Sequence, residues 1–193
     1  MNPKFSVLFV IFLIGTLHFA TAQSATISPE RKQAIDSLAL EKVRDLSKYI
    51  TIIGSKTTLV SEAARVMDRV EELFSPGSQI AVSSLYRKKL KYYGVREYCV
   101  HLNTLNYDQV KISWFNIHYV SDLELQPDGR WVGIITIYQK FEGINDDGLS
   151  YKDVTKKDIT IYVERKQQQI SGRIINFWDV LLGDIQVAET RRL

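Results

Sequence analysis

The chain has 193 residues, and its 25 Lys and Arg against 22 Asp and Glu give a formal net charge of +3. This near balance gives no reason to expect nucleic acid or an anionic membrane as a partner. The single cysteine, Cys99, excludes an intramolecular disulfide, so the fold has to be stabilised by its core, for which this length suffices.

The first 22 residues have the pattern of a secretory signal peptide. Lys4 supplies the positive start, Phe5–Ile14 is almost wholly apolar, and Ala20-Thr21-Ala22 is a small-x-small cleavage site. The alternative is a transmembrane anchor, but the apolar stretch has only about 18 residues, short of the roughly 20 that span a bilayer. We therefore expect cleavage after Ala22, a secreted or periplasmic domain of residues 23–193, and no membrane span after cleavage.

The next two segments have the spacing of amphipathic helices. Pro29, preceded by Ser28 as N-cap, begins the first helix, and Gly54 ends it. Its apolar positions recur at helical spacing: Ile35, Leu38, Val43, Leu46, Ile50 and Ile53. The second helix is predicted over about Thr58–Phe74, before the breaker Ser75-Pro76-Gly77. Together the two helices can cover one face of a sheet.

A short strand, a basic cluster and a third helix follow. Gln79–Leu85 is short and β-branched enough for one strand, and Val95–Leu105 has helical apolar spacing. The basic run at 87–91 is interpreted as a solvated helix face or loop, with phosphate or lipid-headgroup binding as the alternative. Cys99 lies at helical spacing from its apolar neighbours, so we interpret it as a buried structural residue rather than a nucleophile.

The remainder of the chain is predicted to form four long strands separated by turns: Gln109–Leu125, Trp131–Ile144, Tyr151–Lys166 and Arg173–Thr190. Their short connections require antiparallel pairing. Strands longer than the usual roughly 3–10 residues are expected to bend. In the first strand the apolar alternation changes phase between Trp114 and Phe115, as it does at a β-bulge. We therefore predict a strongly curved sheet, with a second bend at Asp184.

This order of elements resembles the nuclear transport factor 2-like, or cystatin-like, superfamily, in which helices fill the concave face of a bent sheet. The resemblance covers nearly all of residues 23–193. It implies a single α+β domain: N-terminal helices packed on a strongly curved antiparallel sheet of four long strands plus a short one. Several segments are also similar to secreted, uncharacterised Bacteroidetes proteins of this fold: Glu72–Gly77, Asn106–Val110, Asp128–Trp131, Gln139–Gly143, Asp153–Lys157 and Trp178–Val180. They carry no known chemistry, so the resemblance implies a fold and a cell-envelope setting.

The resemblance also implies a place for chemistry, because enzymes of this superfamily typically use an Asp or Glu with a His or Tyr inside the cone. His118, on a central strand, is a candidate base or ligand contact, with a non-catalytic polar role as the alternative. The candidate pocket residues are Asn116, His118, Tyr138 and Gln139. His101, near the end of the third helix, is interpreted as a surface or capping residue. No catalytic residue is assigned.

The other polar clusters indicate structural roles. Asp128 and Asp146 fall in turns, where an Asp side chain bonds its own backbone. Asp153, Thr155 and Lys157 alternate along one strand, a pattern that usually faces solvent and discourages edge pairing. The sequence has no His-x-x-x-His, Cys-x-x-Cys, Gly-rich phosphate loop or Gly-x-Ser-x-Gly. We therefore predict no metal site and no cofactor.

Two pairs of adjacent aromatic residues bear on partners: Trp114 with Phe115, and Phe177 with Trp178. Adjacent side chains of a regular strand point to opposite faces, so one member of each pair is expected to face outward. We predict these four residues as an interface. The favoured hypothesis is an exported, non-enzymatic binding or scaffolding domain that forms a homodimer, or docks an envelope protein, through its sheet. The alternative is a small-molecule-binding protein or enzyme with a pocket inside the cone.

Overall fold

The computed structural model describes residues 27–119, 121–148 and 150–192. The predicted signal peptide, residues 1–22, lies outside these described residues. Along the described chain the elements are α1 Pro29–Gly54, α2 Val60–Leu73, β1 Gln79–Ser84, β2 Arg87–Gly94, α3 Val95–Asn103, β3 Gln109–Tyr119, β4 Glu124–Leu125, β5 Trp131–Ile144, β6 Ser150–Ile170 and β7 Arg173–Arg192. Within these ranges no helix combines the length and the apolar character that crossing a membrane requires.

The helices confirm the sequence prediction closely. α1 begins at Pro29, where the Ser28 hydroxyl accepts a hydrogen bond from the Arg31 amide (3.4 Å), and it ends at Gly54 as predicted. α2 and α3 are slightly shorter than predicted. Cys99 is fully buried on α3, and burial raises the pKa of its thiol, which keeps it in the neutral, unreactive form. Its interpretation as a structural residue agrees with this burial.

The strands form one mixed sheet in the order β2-β1-β7-β6-β5-β3, with the short β4 paired to β5. The antiparallel pairing of the four long strands is confirmed. β1, however, lies parallel to β7, with Ile80 opposite Ile185. The short-connection argument holds only for strands that are neighbours in sequence, and β1 and β7 are not. The α+β class is therefore confirmed, whereas the sheet is mixed rather than antiparallel.

The sheet is not strongly curled, in contrast to the prediction. The reason is that part of the strand length is not used around the core. β5 begins at Trp131, opposite Val163, so residues 164–170 of β6 and 173–179 of β7 pair only with each other. These residues, here called the ribbon, extend beyond the other strands. The extra length of β6 and β7 therefore extends past one end of the sheet, and the sheet does not have to bend to accommodate it.

Bulges are present close to the predicted positions, although the one in β3 comes after Phe115 and not between Trp114 and Phe115. The β3–β5 register shifts between Phe115 and His118, and Asn116 there has a φ of 50°. The β6–β7 register shifts between Ile159 and Ile161, opposite Gly183 and Asp184. Each shift places one extra residue in one strand, which is the definition of a bulge.

The basic run at 87–91 belongs to strand β2, so its interpretation as a helix face or loop is wrong. β2 is at the edge of the sheet and pairs with β1, and most of its residues are exposed. A row of Lys and Arg side chains on an edge strand discourages pairing with another chain. The charges therefore suit the strand's position at the edge of the sheet.

Candidate functional site

A cavity of about 180 Å³ lies between α3, the β1–β2 hairpin and the face of β5 and β6 that the helices cover. We call this helix-covered side the inner face of the sheet and the opposite side the outer face. Most of the cavity wall is aromatic or aliphatic. The polar side chains that β5 and β6 contribute to it are Gln139, Asp153, Thr155 and Lys157.

Three of these polar residues occupy alternate positions of β6, so their side chains point to one face. Asp153, Thr155 and Lys157 are 4%, 2% and 3% exposed, and that face is the inner one. The prediction that they face solvent is therefore wrong. β6 lies between β5 and β7 in the sheet, and the inner face of such a central strand is covered by the helices.

Asp153 is held by one short hydrogen bond. The Tyr151 hydroxyl donates to Asp153 Oδ2 (2.6 Å) and accepts from the Leu85 amide (3.0 Å). Burial raises the pKa of the Asp153 carboxyl, although the bond from Tyr151 and the charge of Lys157 oppose the shift. The cavity thus holds a carboxyl group that ionises less readily than one in water.

Lys157 is the second ionisable group on this strand face. Among the described residues its ammonium group forms no hydrogen bond and no ion pair, and Nζ lies 5.8 Å from the centre of the Tyr98 ring. Burial lowers the pKa of Lys157 to about 8, even though the charge of Asp153 acts in the other direction. Tyr98 is itself buried, which raises the pKa of its phenol and keeps it neutral. Lys157 is therefore a buried amine whose protonation changes near physiological pH.

Gln139 brings an unsatisfied amide to the cavity. It is 8% exposed, and its Oε1 has no hydrogen-bond partner among the described residues. Trp114 stands directly opposite in the β3–β5 register, and its indole Nε1 is likewise buried without a partner. A buried polar group without a partner costs about 1–3 kcal/mol. A water or a ligand group that bridges these two residues would remove that cost.

Four aromatic rings form a continuous wall on one side of the cavity. Ring centres are 5.7 Å apart for Tyr86 and Tyr151, 5.8 Å for Tyr151 and Phe141, and 5.9 Å for Phe141 and Tyr107. Tyr107 lies directly over Gly143, where an added Cβ would come within 2.7 Å of the ring. Such a wall offers an apolar surface on which a flat ligand can stack.

His101, interpreted from the sequence as a surface or capping residue, also lines the cavity. Its ring stacks on Tyr93 (4.9 Å between centres), and the residue is half-buried. Burial lowers the pKa of His101, and the positive charges of Lys91 and Arg87 act in the same direction. The imidazole is therefore neutral at physiological pH and can accept a proton.

The four predicted pocket residues are not brought together. Gln139 lines the cavity, whereas its neighbour Tyr138 lies on the outer face and stacks on Phe115 (5.7 Å). Asn116 and His118 are exposed at the β3 bulge, and His118 Nδ1 lies 2.8 Å from the Asn116 carbonyl oxygen. The cavity lining therefore includes one of the four predicted residues.

The paired aromatics do point to opposite faces. Trp114 and Trp178 are half-buried and pack against the core. Phe115 and Phe177 are 38% and 39% exposed. The use of these residues as an interface stays a prediction. For metals, the described part of the chain contains no group of three or more His, Cys, Asp or Glu side chains placed to hold an ion.

No protein-family model and no curated protein sequence matches the chain. Among solved structures, it is similar to a type 2 hexachlorocyclohexane dehydrochlorinase (LinA), with a TM-score of 0.41 and 15% sequence identity. The match covers 83% of this chain and 93% of the dehydrochlorinase chain. A likeness at this level carries no argument about activity, so the chemistry of the cavity has to come from its own residues.

Proposed function

We propose that this protein binds a small organic molecule in the cavity, with the apolar part of the ligand on the aromatic wall and its polar part near Lys157 and Asp153. One observation supports this most strongly. Two buried ionisable side chains of opposite charge line the same cavity without forming an ion pair with each other. Ionisable groups with shifted pKa values in a concave site are typical of functional sites.

The cost of burial supports the same proposal. A buried charge without a direct partner destabilises a fold, and apolar side chains of similar volume are often neutral or stabilising in its place. Thr155 and the aliphatic neighbours of Lys157 show that this strand face can accept uncharged side chains. A ligand that binds to both Asp153 and Lys157 would explain why two costly ionisable side chains occupy this strand face.

The size of the cavity limits the ligand. An apolar cavity of about 150 Å³ can take up benzene, and this one has about 180 Å³. A single-ring compound with one polar substituent therefore fits the space and the aromatic lining. Larger molecules would have to extend through the open side of the cavity.

The proposal is tested with three single-ring ligands that differ in charge: benzyl alcohol, benzoate and benzylamine. Amide chemical shifts are followed by NMR in residues 23–193 and in the variants Lys157→Met and Asp153→Asn. We expect benzyl alcohol to shift cavity residues, Lys157→Met to weaken benzoate most, and Asp153→Asn to weaken benzylamine most. Lys156→Met, one position along β6 on the outer face, is the control. If none of the three ligands shifts the cavity residues, the proposal is wrong.

We also propose that this binding takes place outside the cytoplasm, because residues 1–22 have the signal-peptide pattern. N-terminal sequencing of the protein purified from cells expressing the full chain tests this. A mature chain that starts at Gln23 is expected. A chain that retains Met1 in the cytoplasmic fraction would contradict it.

A second candidate function is self-association through the outer face of the sheet. Phe115 stacks there on Tyr138, Ile134 is 39% exposed nearby, and the described helices all lie on the other side. Light scattering after size exclusion measures the association. We expect a dimer that Phe115→Ser dissociates, with Lys111→Ser on the same strand as the control. A monomer that neither change affects would leave the cavity as the functional feature.

A further inference from the structure

We propose that Lys157 is a nucleophile that captures a small aldehyde in the cavity as a Schiff base. This rests on the proposed function, because the same cavity has to bind the compound first. It goes further in naming a covalent step, a reacting atom and a chemical class of ligand.

The surroundings of Lys157 distinguish it from lysines that serve as structural cations. Lys166, on the same strand, lies 2.6 Å from Asp179 and 3.0 Å from Glu164, and its hydrogen bonds to these two carboxylates raise its pKa. Lys157 has no such partner among the described residues and is 3% exposed. It extends from a central strand and lines an open cavity, so its amine is accessible to a ligand.

An amine attacks a carbonyl only in its neutral form, and burial provides that form here. With a pKa of about 8, roughly a quarter of Lys157 is neutral at about pH 7.5, against about one in a thousand for an ordinary lysine. The centre of the Tyr98 ring lies 5.8 Å from Nζ, and the aromatic wall lines the same cavity. The same environment therefore activates the amine and favours an aldehyde with an apolar body.

The chemical step balances without any further reactant. The lone pair of Nζ attacks the carbonyl carbon, a C–N bond forms, and the carbonyl oxygen takes up a proton that the nitrogen releases. The hydroxyl of this carbinolamine is then protonated and leaves as water while the nitrogen lone pair forms the C=N bond. The nitrogen finally returns its remaining proton. Solvent water at the open side of the cavity lends this proton and takes it back.

The proposal is tested by trapping with benzaldehyde and sodium cyanoborohydride at about pH 7.5, followed by peptide mass spectrometry. Cyanoborohydride delivers hydride to the imine carbon and leaves a benzyl group on the nitrogen. We expect Lys157 to be labelled about tenfold or more faster than any other lysine, because its neutral fraction is on the order of a hundredfold larger. Benzyl alcohol, which has the same shape but no carbonyl, is expected to slow the labelling by occupying the cavity.

Two variants and one control make the result decisive. Lys157→Arg keeps a cation and Lys157→Met keeps the volume, and both are expected to lose the fast labelling, with folding checked by circular dichroism. Lys156→Met is expected to keep it. Equal labelling of all lysines, while benzaldehyde shifts the cavity residues by NMR, would overturn the Schiff base and leave the binding proposal standing. If benzaldehyde shifts no cavity residue, the Schiff base proposal fails, and the binding proposal is decided separately by benzyl alcohol, benzoate and benzylamine.

Discussion

Lys157 makes the stability of the fold depend on pH. Its pKa is about 8 in the folded chain against 10.5 for a free lysine. Below about pH 8 both states carry the proton and the burial cost is fully present; between about pH 8 and 10.5 the unfolded state binds more protons, so stability rises with pH. We expect Lys157→Met to raise the free energy of unfolding at pH 7 by up to about 3 kcal/mol. The gain is reduced by the attraction between Asp153 and Lys157, which the variant removes.

Urea unfolding at pH 7 and pH 10 measures this effect. The gain from Lys157→Met is expected to shrink strongly at the higher pH, where the amine is neutral in the folded state. Lys156→Met is expected to change stability by no more than about 0.5 kcal/mol. A variant Lys157→Met that is less stable than the parent at pH 7 would contradict the prediction. It would mean that contacts of the Lys157 stem outweigh the cost of its charge.

The cavity residues also show what a sequence can predict at this scale. Gln139 was predicted, and the alternation that places Asp153 and Lys157 on one face was visible. The prediction assigned these two residues to the wrong face of the sheet. β6 is the third of four consecutive antiparallel strands, so it is internal and has positions that the helices cover. For His118 the difficulty is physical, because the bulge at Asn116 decides which side its ring takes. A one-residue shift reverses every side chain beyond it.

At the scale of elements, the loop before β3 packs closely on β5 where the Tyr107 ring lies over Gly143. A Cβ on Gly143 would lie 2.7 Å from the Tyr107 ring, so Gly143→Ala has to displace that ring. We expect a loss of about 1–3 kcal/mol in stability and a wider cavity, because Tyr107 is part of the aromatic wall. Urea unfolding measures the first effect, and NMR titration with benzyl alcohol measures the second.

Gly183→Ala is the matched control for Gly143→Ala. Its Cβ would lie 2.5 Å from the Tyr162 ring, a contact of the same kind that does not line the cavity. We expect a comparable loss of stability with unchanged binding of benzyl alcohol. If both variants change binding alike, the effect of Gly143 comes from general loosening of the sheet and not from Tyr107.

Elements with their own local signals were predicted well, and an element stabilised only by its partner was missed. α1 has Ser28 and Pro29 at its start and Gly54 at its end, so both bounds follow from the sequence. β2 buries almost nothing, and its exposed Lys and Arg side chains leave no alternation to detect. Its backbone is held by the ladder to β1. Such a strand exists because of a tertiary contact, and no window of its own sequence contains that information.

At the scale of the whole molecule, the ribbon and the cavity are separate features of one sheet. The cavity lies on the inner face, over β5 and β6, whereas residues 167–170 and 173–176 of the ribbon are exposed and pair only with each other. Ile170, Ile174 and Ile175 are 47%, 69% and 45% exposed, so the tip contributes little to the core. The fold is therefore expected to tolerate removal of the tip.

Deleting residues 167–170 and 173–176 places the chain's own turn, Ser171-Gly172, between Lys166 and Phe177. These two residues already face each other, and both turn residues have the positive φ that this type of hairpin needs. Removing an even number from each strand keeps the alternation of hydrogen-bonded and non-hydrogen-bonded pairs. We expect a change of less than about 1 kcal/mol in stability and unchanged binding of benzyl alcohol.

Deleting 168–170 and 173–175 is the matched control. It places the turn between Gln167 and Asn176, where the alternation of hydrogen-bonded and non-hydrogen-bonded pairs is out of step with the turn, and it is expected to destabilise the hairpin. Loss of cavity binding in the first deletion, with the fold intact, would show that the ribbon supports the cavity.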